Sequence, residues 1–249
     1  MEKSDTFTDN EKEELEMSFL EHLEEFRWRI IYAIIGVIAG TVVCWIFIDF
    51  IIDGILLAPA FKVNMKLQNL RPFGQLFLYF EVAIIGGIVL SIPNLLLQIW
   101  KFIAPALRKS ERKYISSIVI YSSVCFILGM LFAYYAMLPL SLNFAVNFGS
   151  QAIENNFAID EYLSIIISMI LGAGLVFELP MVSFFLSKIG ILKPQFMKRY
   201  RRHALVAILV IAAFLTPGTD PVSQIVLAVP LVLLYEISIF VSKISQRKT

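Results

Sequence analysis

The run LGAGLVFELPMVSFF, residues 171–185, holds one ionisable side chain, Glu178, two residues before Pro180. A carboxylate in hydrocarbon costs at least about 2.5 kcal/mol, so its presence asks for a reason. Glu81 and Glu236 also fall in apolar runs, and no Lys, Arg or His does. Glu178 therefore has no cation of its own chain at the same depth. Such an acid stays protonated, meets water, accepts hydrogen bonds from Ser, Tyr or a carbonyl freed near Pro180, or receives a cation from another molecule. Proton carrying, cation recognition and simple packing all remain open on these residues alone.

Two further acids lie outside the apolar runs. The segment EKEELEMSFLEHLEEFRWRI, residues 11–30, spaces Leu15, Phe19, Leu23, Phe26 and Ile30 as one face of an amphipathic helix. Its other face is mostly acidic and would attract a cationic peptide. Glu25 and Arg29 also read as an i,i+4 surface pair. In LLLQIWKFIAPALRKSERKY, residues 95–114, Trp100 and Phe102 flank Lys101 as interface aromatics, and Pro105 ends the helix. Glu111 is the one acid beside Arg108, Lys109, Arg112 and Lys113, either a local salt-bridge partner or an acceptor for a cationic ligand.

The remaining chemistry is thin. There is no phosphate-binding glycine loop, no HExxH and no GxSxG, and no aspartate pair in mid-run, so an enzyme and a cofactor are not expected. His22 and His203 have no ligand spacing, and Cys44 and Cys125 sit in apolar runs as packing residues. Asp220 followed by Pro221 fits an N-cap and first helical position, with Gln224 in the next turn.

The elements that must position these groups are membrane spans. The 249 residues are 58% hydrophobic with a mean hydropathy of +0.77, above the 45–50% of soluble domains. Six apolar segments are predicted at about 30–48, 76–99, 114–138, 162–186, 204–215 and 222–241. The expected fold is all-α, with an acidic N-terminal segment over 1–29, a six-helix domain over 30–241 and a short basic tail over 242–249. Pro93, Pro180 and Pro230 should bend the second, fourth and sixth spans. The fifth span, at twelve residues, reaches only about 18 Å, short of a core of about 30 Å. Glu178 and Glu236 both fall in the half of their spans nearer the basic loops.

Charge sets the orientation. Of 21 Lys and Arg, three (Lys62, Lys66 and Arg71) lie in the first, third and fifth loops, and the rest lie in the second and fourth loops or at the termini. By the positive-inside rule both termini are cytoplasmic. The first span follows an acidic segment without a basic leader, so no cleaved signal is expected. No internal repeat relates the two halves, which argues against an inverted-repeat transporter.

Read together, the motifs resemble the TatC family, the large subunit of the twin-arginine protein translocase. HLEEFRWR (22–29) resembles that family's HLxELRxR signature. QIWKFIAPAL (98–107) followed by Glu111, FAYYAMLPL (132–140), FELP (177–180), LTPGTDPVSQ (215–224) and PLVLLYEISIF (230–240) follow in family order and spacing. Ser110 stands where the family commonly has His, Phe26 where it has Leu, and the TPGTDP turn is one residue longer than the shorter family form.

The resemblance implies a glove-like bundle in the bacterial plasma membrane that binds the twin-arginine signal peptide of folded cargo and uses the proton gradient. It implies peptide contacts at Glu25, Arg27, Phe102 and Glu111, and a polar site on the concave face at Glu178. It assigns Pro59, Pro139, Asp220, Gln224 and Glu236 to partner contact or structure. TatA-like and TatB-like single-span subunits are its implied partners near spans five and six, with self-association in the receptor complex and no nucleic acid. The alternative is a proton- or cation-coupled small-molecule transporter using Glu178.

Overall fold

The computed structural model describes residues 19–104, 115–148, 155–215 and 221–246. In chain order these form α1 (Phe19–Ile46), a π-helical turn (Phe50–Leu56), α2 (Ala58–Lys62), β1 (Lys66–Gln68), α3 (Gly74–Leu90) and α4 (Ile92–Ile103). Then come α5 (Ile115–Phe132), a second π-helical turn (Ala133–Met137), α6 (Leu138–Asn147), β2 (Asn156–Ala158), α7 (Ile159–Phe177) and α8 (Leu179–Lys188). The chain closes with α9 (Pro194–Arg199), α10 (Arg201–Leu215) and α11 (Pro221–Gln246).

Among the described residues, four helical stretches are long and apolar enough to cross a membrane: Glu21–Ile46, Ile115–Asn147, Ile159–Lys188 and Leu227–Ile244. The pair α3 and α4 passes the same test together, bent by 53°. Helix α10 has 15 residues, about 22 Å of helix, longer than the predicted fifth span yet still short of the hydrocarbon core.

Proline marks where helices restart. A proline at the start of a helix loses no hydrogen bond, because the first N–H groups have no partner there. Pro59, Pro93, Pro139 and Pro180 all occupy first turns, of α2, α4, α6 and α8. The second span is bent at Ser91, as Pro93 led one to expect, and the fourth stays one stretch over Ile159–Lys188 with its helical pattern interrupted only at Glu178. Pro230 alone of the three in-span prolines lies inside a continuous helix, α11. No break separates residues 19–29 from the rest of α1.

Helix α7 is the centre of the bundle. It packs on α5, α3, α8, α10 and α11, and its Leu163, Ile166, Met169 and Ala173 belong to the main core with Leu138, Leu227 and Leu231. A second, smaller cluster of Trp100, Ile118, Val119 and Phe185 joins α4, α5 and α8. Trp100 and Phe185 meet edge to face at 4.4 Å, the geometry that the ring quadrupoles favour.

Lipid tails are as apolar as leucine, so close backbone approach rather than hydrophobicity drives helix pairing in a membrane. A Cβ on Gly129 of α5 would lie 2.6 Å from the Ala173 carbonyl oxygen and 2.9 Å from Gly174 Cα on α7. Gly129→Ala should therefore push the central pair apart and cost about 1–3 kcal/mol. Thermal unfolding in lipid nanodiscs checks this; an unchanged midpoint would mean that the crossing tolerates a methyl group.

At the end opposite the α1 N-terminus, β1 and β2 pair in parallel, Lys66 with Asn156 through Gln68 with Ala158. Arg71 adds an ion pair with Asp160 at 3.2 Å. Tyr162 Oη accepts from Ala60 N–H and donates to the Leu56 carbonyl at 2.8 Å, closing the frayed end of the first π-helical turn. This small cap was not legible from the sequence, because three-residue strands carry no periodicity.

Candidate functional site

The expected peptide site lies where α1 begins and α4 ends. Phe26 and Phe102 pack with ring centroids 5.2 Å apart, and His22 also stacks on Phe102 at 4.5 Å. Beside them runs an apolar groove of about 280 Å³, lined by Phe26, Ile30 and Ala33 of α1 and by Leu95, Ile99 and Phe102 of α4. The amphipathic face that the sequence marked with Phe26 and Ile30 thus forms one wall of an open groove. Phe26 is 44% exposed and Ile30 41%.

The groove has a polar edge. Arg29 Nη2 donates to Glu25 Oε1 at 2.8 Å, so the i,i+4 pair is formed. Glu25 Oε2 and Arg29 Nε are buried and have no hydrogen-bond partner among the described residues. Arg27 is 65% exposed, lies 3.8 Å from Glu24 and sets its guanidinium 5.5 Å from the Trp28 ring centre. Glu111 lies outside the described residues, as does Asp220.

A chain of amides crosses from α1 to α4 behind the groove. Asn94 Nδ2 donates to the Tyr32 carbonyl, and Gln98 Nε2 donates to Asn94 Oδ1 at 3.1 Å. Gln98, also a lining residue, is buried at 9% exposure, and its Oε1 has no partner among the described residues. Ser91 Oγ donates to the Gly36 carbonyl at 2.6 Å, holding the broken second span against α1. Side chains larger than hydrogen at Gly36 and Gly40 would collide with Asn94 and with Ser91 and the Gly87 backbone. Sequence reasoning did not single out Asn94, Gln98 or His22; the small-xxx-small spacing of Gly36 and Gly40 was the available signal.

Glu178 sits at the junction of α7 and α8 and is 8% exposed. Ser122 of α5 faces it, yet neither Ser122 Oγ nor Glu178 Oε1 completes a hydrogen bond. No ion pair reaches it among the described residues. Glu236 differs: Arg201, the first residue of α10, bonds it at 2.5 Å. Helices α10 and α11 run antiparallel about their short connection, which brings position 201 beside 236. Tyr235 Oη donates to the Met197 carbonyl and Ser187 meets Ser242 at 2.5 Å, so this end of α11 is tied to α8, α9 and α10. At its other end Gln224 Nε2 donates to the Leu209 carbonyl at 3.1 Å. Pro59 is buried and Pro139 half-buried.

The description Sec-independent protein translocase protein (TatC) matches residues 21–230. The chain belongs to the TatC family. It is 35% identical to the TatC protein of Carboxydothermus hydrogenoformans over 236 residues, 95% of this chain and 97% of that one. The chloroplastic TATC of Pisum sativum is 36% identical over 88% of this chain and 62% of its own length. A crystal structure of the twin arginine translocase receptor TatC superposes with a TM-score of 0.79 at 34% identity, covering 91% of this chain and all of that one. Family membership makes the chain a multi-pass membrane protein of twin-arginine protein transport, and the expected family and helical class are borne out.

Proposed function

We propose that the chain is the receptor and organising subunit of a twin-arginine translocase. It binds the twin-arginine signal peptide of folded cargo at the cytoplasmic end of α1 and α4, and both termini are cytoplasmic in a bacterial plasma membrane. The observation that carries this reading is Glu25: one carboxylate oxygen is held by Arg29, which lines the apolar groove, and the other has no hydrogen-bond partner among the described residues. An arginine fork can bridge a carboxylate through two bonds, a geometry that lysine lacks. Arg27, Phe102 and Glu111 complete the contact region. TatA-like and TatB-like subunits dock near α10 and α11, where Phe214 is 86% exposed. Self-association completes the receptor complex, and the proton gradient drives transport.

The transporter reading has less support. A cavity of about 140 Å³ between the first π-helical turn, α3 and α7 is lined by aliphatic side chains and Gly86, and Glu178 is not among them. Cross-linking of a radiolabelled twin-arginine precursor to membranes containing the chain tests the receptor reading. The adduct should form and should weaken when both arginines become lysines. Equal adducts from the two precursors would refute it.

A further inference from the structure

Among the described residues, two polar atoms on the groove lining, Gln98 Oε1 and Arg29 Nε, lack hydrogen-bond partners, and their chemistry is complementary. Gln98 Oε1 can only accept, Arg29 Nε–H can only donate, and both residues line the groove. The direction of the Gln98 amide is fixed by its neighbours. The Tyr32 carbonyl can only accept, so Asn94 presents its NH2 there and its oxygen to Gln98. Gln98 then spends its NH2 on Asn94, which leaves its carbonyl oxygen as the orphan. A buried amide oxygen without a partner forfeits about 1–3 kcal/mol of solvation. A ligand that supplied one donor and one acceptor would satisfy both residues, and a peptide unit is such a group.

We infer that Gln98 and Arg29 grip the main chain of an apolar peptide segment seated between Phe26 and Phe102: Gln98 Oε1 accepts from a peptide N–H, and Arg29 Nε–H donates to a peptide carbonyl. This rests on the receptor reading and extends it from the arginines to the residues beside them. The segment is extended where it crosses Gln98, because a helix interior has already used its N–H groups. From Phe26 to Ala33 the α1 wall is about 10 Å long, room for about three extended residues at 3.3 Å each. Side-chain identity in the groove is then loosely read through apolar contact, while the backbone is read through hydrogen bonds. Glu25, bonded to Arg29, leaves its second oxygen for the cationic end of the peptide.

The test uses the full chain in lipid nanodiscs and synthetic peptides carrying two adjacent arginines followed by an apolar segment. In a matched set, each amide N–H of that segment is replaced in turn by an ester oxygen. One ester position should weaken binding about two- to tenfold, the worth of one hydrogen bond. That penalty should vanish in Gln98→Leu, while the preference for arginine over lysine persists. Absence of any ester penalty in the unaltered chain, or its persistence in Gln98→Leu, overturns the inference and leaves the receptor reading standing. A groove filled by a lipid acyl chain gives that same overturning result. Failure of the all-amide peptide to bind the unaltered chain sinks the receptor reading and this inference together. The ester series on the unaltered chain needs no variant, so a folding defect in Gln98→Leu cannot mask the answer.

Discussion

Glu25→Lys is expected to abolish twin-arginine peptide binding, and Glu25→Ala to weaken it about 10- to 100-fold. Hydrogen bonds to a charged partner contribute about 1.5–3 kcal/mol each, and every 1.4 kcal/mol is a factor of ten in affinity. Alanine removes the acceptor and leaves Arg29 as an uncompensated cation beside the incoming arginines. Lysine adds a second cation at a position whose side chain is only 17% exposed, where repulsion is poorly screened. The internal pair with Arg29 limits the gain, because a peptide arginine must share a carboxylate already bonded at 2.8 Å. Titration of a fluorescent peptide into nanodiscs gives the affinities, and the unfolding midpoint serves as control. The pair is partly buried, at 26% and 17% exposure, but local to one helix, so its loss should cost about 1–2 kcal/mol of stability. Unaltered peptide affinity in both variants would remove Glu25 from the recognition site.

Much of this architecture is legible in the sequence because hydropathy and charge are read directly. The predicted run Ile30–Ile48 falls on the C-terminal part of α1, which ends at Ile46, and the amphipathic spacing of Phe26 and Ile30 does mark one coherent helix face. What escapes is set by contacts between distant residues. Glu236 reads as a lone in-span acid until the short α10 delivers Arg201 to it. Pro93 and Pro180 read as bends, and the 53° bend before Pro93 follows, but that each proline opens a new helical segment was not legible. That outcome depends on whether the residue before the proline keeps its helical bonds, which neighbouring helices decide. The Asn94–Gln98 relay escapes for the same reason: neither amide is unusual alone, and only the close approach at Gly36 brings Asn94 to the Tyr32 carbonyl. Glu25 is the intermediate case. Its local pair with Arg29 follows from spacing, whereas the burial of its second oxygen is a tertiary outcome that spacing does not reveal.

Glu178→Leu is expected to leave the fold intact, with stability unchanged or raised by about 1–3 kcal/mol, while export of a folded reporter falls at least tenfold. The two halves of this prediction pull in opposite directions for a physical reason. At 8% exposure, with Oε1 and Ser122 Oγ both unbonded, the carboxyl offsets little of its desolvation. Leucine has similar bulk, leaves one fewer polar group unsatisfied, and suits a buried helix junction beside Ser122 and Cys125 of α5. An acid held at such a position against its own stability is held for work. Glu178→Gln separates the forms that work can take. Glutamine keeps the shape and the hydrogen-bonding atoms but neither charges nor exchanges a proton. Recovery of export in Glu178→Gln would reduce the residue to a polar surface for cargo or partner helices. Loss equal to that of Glu178→Leu would mean that the ionisable carboxyl itself is required. Unfolding midpoints in nanodiscs, read beside export rates, decide between these. A Glu178→Leu chain that loses several degrees of midpoint and loses export in proportion would place Glu178 in the structural core, and its functional assignment would fall.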